Sequence, residues 1–201
     1  MHLTVTTLPN IYAIMKSIRL FLLCIVCLAS FSCTGKTQGD VKADSLGYIV
    51  QVGDMAPDFT VKLTDGKEWT LSQQRGKVVL LQFTASWCGV CRKEMKEALE
   101  PLWKKLRDNT DFVFIGIDRD EPLEVVEKFI NQTGITYPIA LDPGAETYVK
   151  YAERNSGITR NILIDRSGRI IKLTRLYNPD EFKALADAIE KELGAKHDCG
   201  F

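Results

Sequence analysis

Beyond residue 50, two stretches of the chain are almost wholly apolar. KVVLLQFT (77–84) is interrupted by Gln82, and DFVFIGID (111–118) is apolar between its acidic ends. Runs of that length and kind predict strands buried on both faces. Elsewhere the pattern alternates. PDFTVKLTDGKEWTLS (57–72) does so on either side of Asp65-Gly66, which predicts a hairpin. NILID (161–165) and RIIKLTRL (169–176) flank RSG and predict another, and YPIALD (137–142) adds a short strand. Apolar positions three and four apart mark the helices. In GVCRKEMKEALEPLWKKLRD (89–108) they are Met95, Leu99, Leu102, Trp103 and Leu106, and Pro101 predicts a kink inside that helix. PLEVVEKFINQ (122–132) is expected as a helix with Pro122 in its first turn, and AETYVKYA (145–152) as a short one. Asn178 reads as an N-cap and Pro179 as the first position of a last helix running to about Leu193, with Gly194 at its end. Strands and helices thus alternate first, and a hairpin plus helix follows. That order gives a parallel pair with right-handed crossovers and added antiparallel strands, an α/β mixed sheet covered by helices. No internal repeat or second domain is evident.

The N-terminus follows a different pattern. From Met15 the chain reads MKSIRLFLLCIVCLASFSC, with Lys16 and Arg19 before an apolar run from Leu20 to Ala29, then small residues and Cys33. This is the layout of a secretory leader, and the run is short for a bilayer span of ~20 residues. Small residues before Cys33 resemble a bacterial lipoprotein signal, in which that cysteine is lipidated. A plainly cleaved leader and an uncleaved anchor are the alternatives. Residues 1–14 read as an extension upstream of a start at Met15. TGKTQGDVKADS, after Cys33, reads as a flexible tether. The expected organisation is a leader over 1–33, a tether over 34–49 and one domain over 50–201.

Composition adds little to that picture. With 45 % hydrophobic and 26 % charged residues the chain is ordinary globular material rather than disordered or fibrous. The leader holds two basic residues and no acid, so 24 basic and 26 acidic residues remain, a balance that does not suggest a surface for nucleic acid or an anionic membrane. The six cysteines matter more. On the lipoprotein reading Cys24 and Cys27 would leave with the leader and Cys33 would carry lipid, so Cys88, Cys91 and Cys199 would remain as thiols, an odd count that argues against a disulfide scaffold. Outside the cytosol, disulfides persist.

Cys88 and Cys91 stand in FTASWCGVCRKEM, where a buried strand gives way to a helix. A helix start stabilises an anion, and a thiolate is the nucleophile in disulfide exchange. Cys91 lies one turn on, within reach of Cys88, so the pair can close and reopen a small ring. A structural zinc site needs four ligands, and beyond this pair the only histidine and thiol expected in the mature chain are His197 and Cys199. An inert staple across so short a loop restricts the unfolded chain little. A redox pair is therefore favoured over metal or staple. Glu94 follows Cys91 by three and shares its helix face. A partly buried carboxylate there could act as base or acid near neutral pH. The alternative is a solvated Glu among Arg92, Lys93, Lys96 and Glu97.

WCGVC between a buried strand and a helix resembles the thioredoxin motif W-C-G-P-C. The leader, the early hairpin, and the helix and strand inserted over 122–142 resemble the TlpA/ResA branch of thioredoxin-like proteins, over about residues 50–194. The resemblance implies a thioredoxin-like fold and an exported, membrane-tethered thiol-disulfide oxidoreductase needing no cofactor. It implies a Cys88–Cys91 disulfide, with Cys88 the exposed nucleophile and Cys91 the buried resolving residue. Trp87 would wall the site, and Gly89 and Val90 would tune its potential. Val90 departs from the usual proline. Glu94 matches a glutamate that assists thiol proton transfer, while thioredoxin's buried aspartate falls at Gln82, which cannot titrate. Thr159, in GITRNILID, stands where the family has a cis-proline facing the cysteines. A cis bond before a non-proline residue costs ~3 kcal/mol, so Ile158–Thr159 is expected to be trans. Arg160 resembles the arginine that peroxiredoxins place beside their reactive cysteine. It is expected either to stabilise a Cys88 thiolate or to be a surface residue next to a strand. Cys199 is expected as a frayed, exposed thiol or a third redox cysteine.

The expected partners are protein disulfides or dithiols and a membrane-bound electron donor or acceptor, on the periplasmic side of a bacterial membrane, with a lipid anchor and no nucleic acid or metal. Two other functions compete. A thiol peroxidase would use Cys88 with Thr84 four before it, although the proline of the peroxiredoxin motif is missing. A redox-inert binding module would explain Thr159.

Overall fold

The computed structural model describes residues 46–194. The expected leader over 1–33, Cys33, residues 34–45 of the tether and Cys199 lie outside the described residues.

Among the described residues seven strands form one mixed sheet: β1 (Thr60–Leu63), β2 (Glu68–Thr70), β3 (Val78–Thr84), β4 (Phe112–Arg119), β5 (Ile139–Asp142), β6 (Arg160–Ile164) and β7 (Ile170–Arg175), in the order β2-β1-β5-β4-β3-β6-β7. β3, β4 and β5 run parallel. β6 is antiparallel to β3, β7 to β6, and β1 to β5. β3 therefore has a hydrogen-bonded neighbour on each side and cover on each face, and every one of its residues is buried. A strand so placed needs no polar face, which is why it reads as a continuous apolar run. In the first hairpin Gly66 turns at φ 87°, a conformation that L side chains rarely adopt.

The helix expected over 89–108 is built in three parts: α1 (Gly89–Glu94), a π-helical turn (Met95–Leu99) and α2 (Glu100–Leu106). Pro101 has no N–H to donate, and its ring crowds the carbonyl four residues back in a regular helix. The widened turn just before it absorbs that misfit without ending the helix. α3 (Leu123–Thr133) starts one residue after Pro122, which is the extended N-cap rather than part of the first turn. It ends at left-handed Gly134, whose N–H reaches the Ile130 carbonyl. α4 (Pro179–Gly194) is capped by Asn178, whose Oδ1 accepts the N–H groups of Asp180 and Glu181.

The helix expected over 145–152 does not form. Gly144 and Ala145 both take positive φ, and only 3-10 turns appear at Pro143–Ala145 and Tyr148–Lys150. The buried Asp142 carboxylate accepts the N–H groups of Thr147 and Tyr148, offering them an alternative to helical carbonyls. The tether also ends earlier than expected. Tyr48 is buried and bridges to Ala152, and Ile49 donates to the Tyr151 carbonyl.

The two faces of the sheet carry different chemistry, because neighbouring side chains on a strand point opposite ways. Thr84 Oγ1 meets Met95 of the π turn, and Phe114 meets Trp103 of α2. That face therefore lies under α1 and α2, and it carries Gln82, Gly116 and Asn161. α3 and α4 flank these helices, through Arg92 to Gln132 and Lys105 to Glu190. The other face is aromatic: Phe83 meets Tyr148 and Tyr151, and Tyr151 meets Phe59.

Candidate active site

β3 delivers the chain through Ala85, Ser86 and Trp87 to Cys88, the N-cap of α1. Cys88 and Cys91 are joined as a disulfide, with Cα atoms 5.3 Å apart. Cys88 Sγ accepts the N–H of Cys91 at 3.1 Å, so a helix donor points at this sulfur. Cys88 is 7 % exposed and Cys91 fully buried. The residue expected as the exposed nucleophile is thus itself largely buried, with a small accessible area that Cys91 lacks. Trp87 is 64 % exposed beside them, and Val90 and Leu176 are also large apolar groups at the surface. Leu176 donates its N–H to the Thr159 carbonyl.

The loop before Cys88 is held by groups that the sequence did not single out. Glu121 accepts the N–H and hydroxyl of Ser86 at 2.5 and 2.6 Å. Arg92 donates from Nε to the Ser86 carbonyl, and its guanidinium lies 4.8 Å from the centre of the Phe129 ring. A groove of about 400 Å³ opens there, lined by Ser86, Arg92, Glu124, Lys128, Phe129 and Gln132 among others. Glu121 also bears on Asp118 at the end of β4. Asp118 is fully buried with neither carboxylate oxygen hydrogen-bonded. Burial, reinforced by the Glu121 charge, pushes its pKa up to about 8.

Glu94 is buried, not solvated among its charged neighbours. Asn161 Nδ2 donates to its Oε1 at 2.6 Å and also approaches Thr174 Oγ1 at 3.1 Å. Gln82 faces the same carboxyl, although Glu94 Oε2 and Gln82 Nε2 both lack a partner at hydrogen-bond distance. Desolvation dominates, and the Asn161 and Gln82 amides offset part of it, leaving a pKa of about 7. Gln82 is fixed from its other end, since the Tyr137 hydroxyl donates to its Oε1 at 2.8 Å. Gly116 makes room for that ring and for Ile139: a Cβ there would lie 2.3 Å from Ile139 Cδ1. Asn161, Tyr137 and Gly116 were missed. The available signal was a polar residue at a buried strand position, Gln82 in VVLLQFT and Asn161 in NILID.

The described residues contain no cis peptide, so Ile158–Thr159 is trans. Thr159 nonetheless faces the cysteines, with Oγ1 3.3 Å from Cys88 Sγ and 3.2 Å from Cys91 Sγ. Arg160 meets neither expectation. It is fully buried rather than on the surface, and its guanidinium lies 4.3 Å from the centre of the Tyr48 ring. Nη2 donates to the Leu46 carbonyl and Ser156 Oγ, and Nε to the Tyr148 hydroxyl. Thr159 and Asn161 point to the α1 side, so Arg160 between them points to the other and does not stabilise a Cys88 thiolate. Among the described residues no three His, Cys, Asp or Glu side chains are grouped to hold a metal ion.

The Redoxin family matches residues 51–189. Thiol-disulfide oxidoreductase ResA of Bacillus thuringiensis (strain Al Hakam) is 33 % identical over 123 residues, covering 61 % of this chain and 69 % of that protein. The solution structure of a candidate protein disulfide isomerase from Bacteroides thetaiotaomicron is 63 % identical with a TM-score of 0.73, covering 76 % of this chain and 96 % of that one. The crystal structure of a candidate thiol:disulfide interchange protein DsbE from Chlorobium tepidum is 30 % identical with a TM-score of 0.62, covering 72 % and 99 %.

Proposed function

This chain belongs to the Redoxin family and is a thiol-disulfide oxidoreductase; from that premise we propose that Cys88 and Cys91 pass two electrons to disulfides of other exported proteins. The supporting observation is the asymmetry of the pair: Cys88 keeps a small accessible area at a helix start, whereas Cys91 is fully buried one turn from a carboxyl that has no cation beside it among the described residues. In the first step the Cys88 thiolate attacks a substrate sulfur. A mixed disulfide forms, the substrate S–S bond breaks, and the departing thiolate takes up a proton from solvent. In the second, Glu94 accepts the Cys91 proton. The Cys91 thiolate then attacks Cys88 Sγ and expels the second substrate thiolate. The Cys88–Cys91 disulfide closes, and a membrane-bound dithiol donor reopens it. The helix N-terminus and the Cys91 N–H stabilise the Cys88 anion. Trp87, Val90 and Leu176 would meet apolar flanks of the substrate, and the groove beside Ser86 a polar segment.

Export and a lipid anchor at Cys33 are part of this proposal, and residues 15–33 of the sequence support them. No helix among the described residues is long and apolar enough to cross a membrane. The peroxidase alternative loses the arginine that it would need beside Cys88.

The test is exchange itself. Reduced protein should reduce a protein disulfide such as insulin, Cys88→Ser should not, and Cys91→Ser should accumulate a mixed disulfide at Cys88. A reduction potential near or below ~−270 mV supports a reductant, and one nearer ~−120 mV reverses the direction of electron flow. Wild-type protein that exchanges with neither disulfides nor dithiols would sink the proposal.

A further inference from the structure

The Thr159 hydroxyl takes no part in the steps above, yet it touches both reacting atoms. Its oxygen lies 3.3 Å from Cys88 Sγ and 3.2 Å from Cys91 Sγ. The residue is 2 % exposed, so water does not compete freely for the hydroxyl. Sulfurs in a disulfide carry no proton, so the threonine O–H is the only donor in either contact. Divalent sulfur is a weak acceptor, and a buried hydroxyl facing weak acceptors is poorly satisfied. Reduction changes the acceptor. A thiolate then appears at one of the two sulfurs, and a hydrogen bond to an ionised group is roughly twice as strong as a neutral one. The hydroxyl therefore favours the reduced, ionised pair over the disulfide.

On the reading that this is the exchanging pair, we propose that Thr159 is a catalytic residue whose hydroxyl donates first to the Cys88 thiolate and then to the Cys91 thiolate. Near-equal distances let one rotor serve both atoms. While Cys88 is the anion, the Cys91 N–H and the Thr159 O–H both point at it. When Cys88 enters the mixed disulfide its charge is gone and the hydroxyl is released. When Glu94 takes the Cys91 proton, the hydroxyl turns to the new thiolate. Thr159 keeps its own proton throughout, so the balance of the exchange is unchanged: two electrons leave the cysteine pair and the substrate gains two thiols. A proline at this position has no hydroxyl and cannot do this.

The test uses the full chain with Thr159→Val, Thr159→Ala and Thr159→Ser. The pH dependence of Cys88 alkylation by iodoacetamide reports its ionisation, and equilibration with a thiol buffer reports the potential. Val should move the alkylation midpoint up by about one pH unit. The matching tenfold change in the exchange constant lowers the potential by about 30 mV. Ser should restore both values. Ala removes the hydroxyl without a second branch and should follow Val, which guards against a packing fault in Val alone. If Val and Ala both titrate Cys88 as the wild type does, the role of Thr159 is overturned. That outcome with wild-type exchange intact leaves the function standing, whereas absent wild-type exchange removes the function itself.

Discussion

Replacing Glu94 by Gln keeps the shape of the side chain and an oxygen for Asn161, and it removes the ionisation. In the folded protein this carboxyl titrates at about 7, against an ordinary value of 4.5. A raised carboxyl pKa means that the folded state holds a proton the unfolded chain has released. Between those two values the unfolded chain binds fewer protons, so stability falls as pH rises, and the loss is complete only above pH 7. At about 1.36 kcal/mol per pH unit, the loss between pH 5 and pH 8 is roughly 2–3 kcal/mol. Urea unfolding of the oxidised protein should show it as a midpoint about 1 M lower at pH 8 than at pH 5. Glu94→Gln should remove that component, with Asp118 contributing equally to both proteins. Activity should respond in the same window. If Glu94 takes the Cys91 proton, the rate of mixed-disulfide resolution rises with pH through about 7 in the wild type. Glu94→Gln should lose that inflection and slow the step by ~100-fold or more. Rapid mixing with a disulfide peptide at several pH values measures this. A variant with the wild-type pH slope in stability and the wild-type resolution profile would refute both the burial argument and the role in proton transfer.

Other changes test other parts of the site. Gly116→Ala should destabilise by about 1–3 kcal/mol, because its Cβ meets Ile139 at 2.3 Å, and it should weaken the Tyr137–Gln82 contact; thermal melting checks it. Arg160→Met should lower stability by roughly 1–3 kcal/mol through lost hydrogen bonds and leave the pH profile of Cys88 alkylation unchanged; a shifted profile would restore Arg160 to the site. Asp118→Asn should stabilise the protein above about pH 8. The folded-state pKa is raised, so wild-type stability falls as pH climbs toward it, and unfolding curves at pH 5 and pH 9 measure the difference.

Much of this was legible along the chain. The continuous apolar run of β3 announced a strand covered on both faces, and the cysteine spacing at a strand-to-helix junction announced exchange chemistry. Glu94 could be placed on the Cys91 face by counting, but its burial could not be. Burial depends on Asn161 and Gln82, which become neighbours only through the pairing of β3 with β6. The direction of Arg160 was likewise invisible. Nothing local to TRN says which of three consecutive side chains faces the cysteines; the register of β6 decides it. The missing helix at 145–152 failed for a comparable reason, since Asp142 claims two N–H groups that the local pattern assigned to helical carbonyls. Asp118 hid in plain sight, an acid at the end of an apolar strand that reads as a strand terminus.

The pairing of β3 with β6 also orders events in time. A chain made from its N-terminus presents Cys88 71 residues before Thr159, and Glu94 67 residues before Asn161. Until β6 arrives, the two cysteines are an ordinary peptide dithiol, able to be oxidised or to be captured by a passing disulfide but without the hydroxyl or the amide partner of the carboxyl. The last strands to be synthesised therefore convert a generic dithiol into a tuned one. A chain cut short before residue 159 would carry the whole W-C-x-x-C motif and almost none of its chemistry.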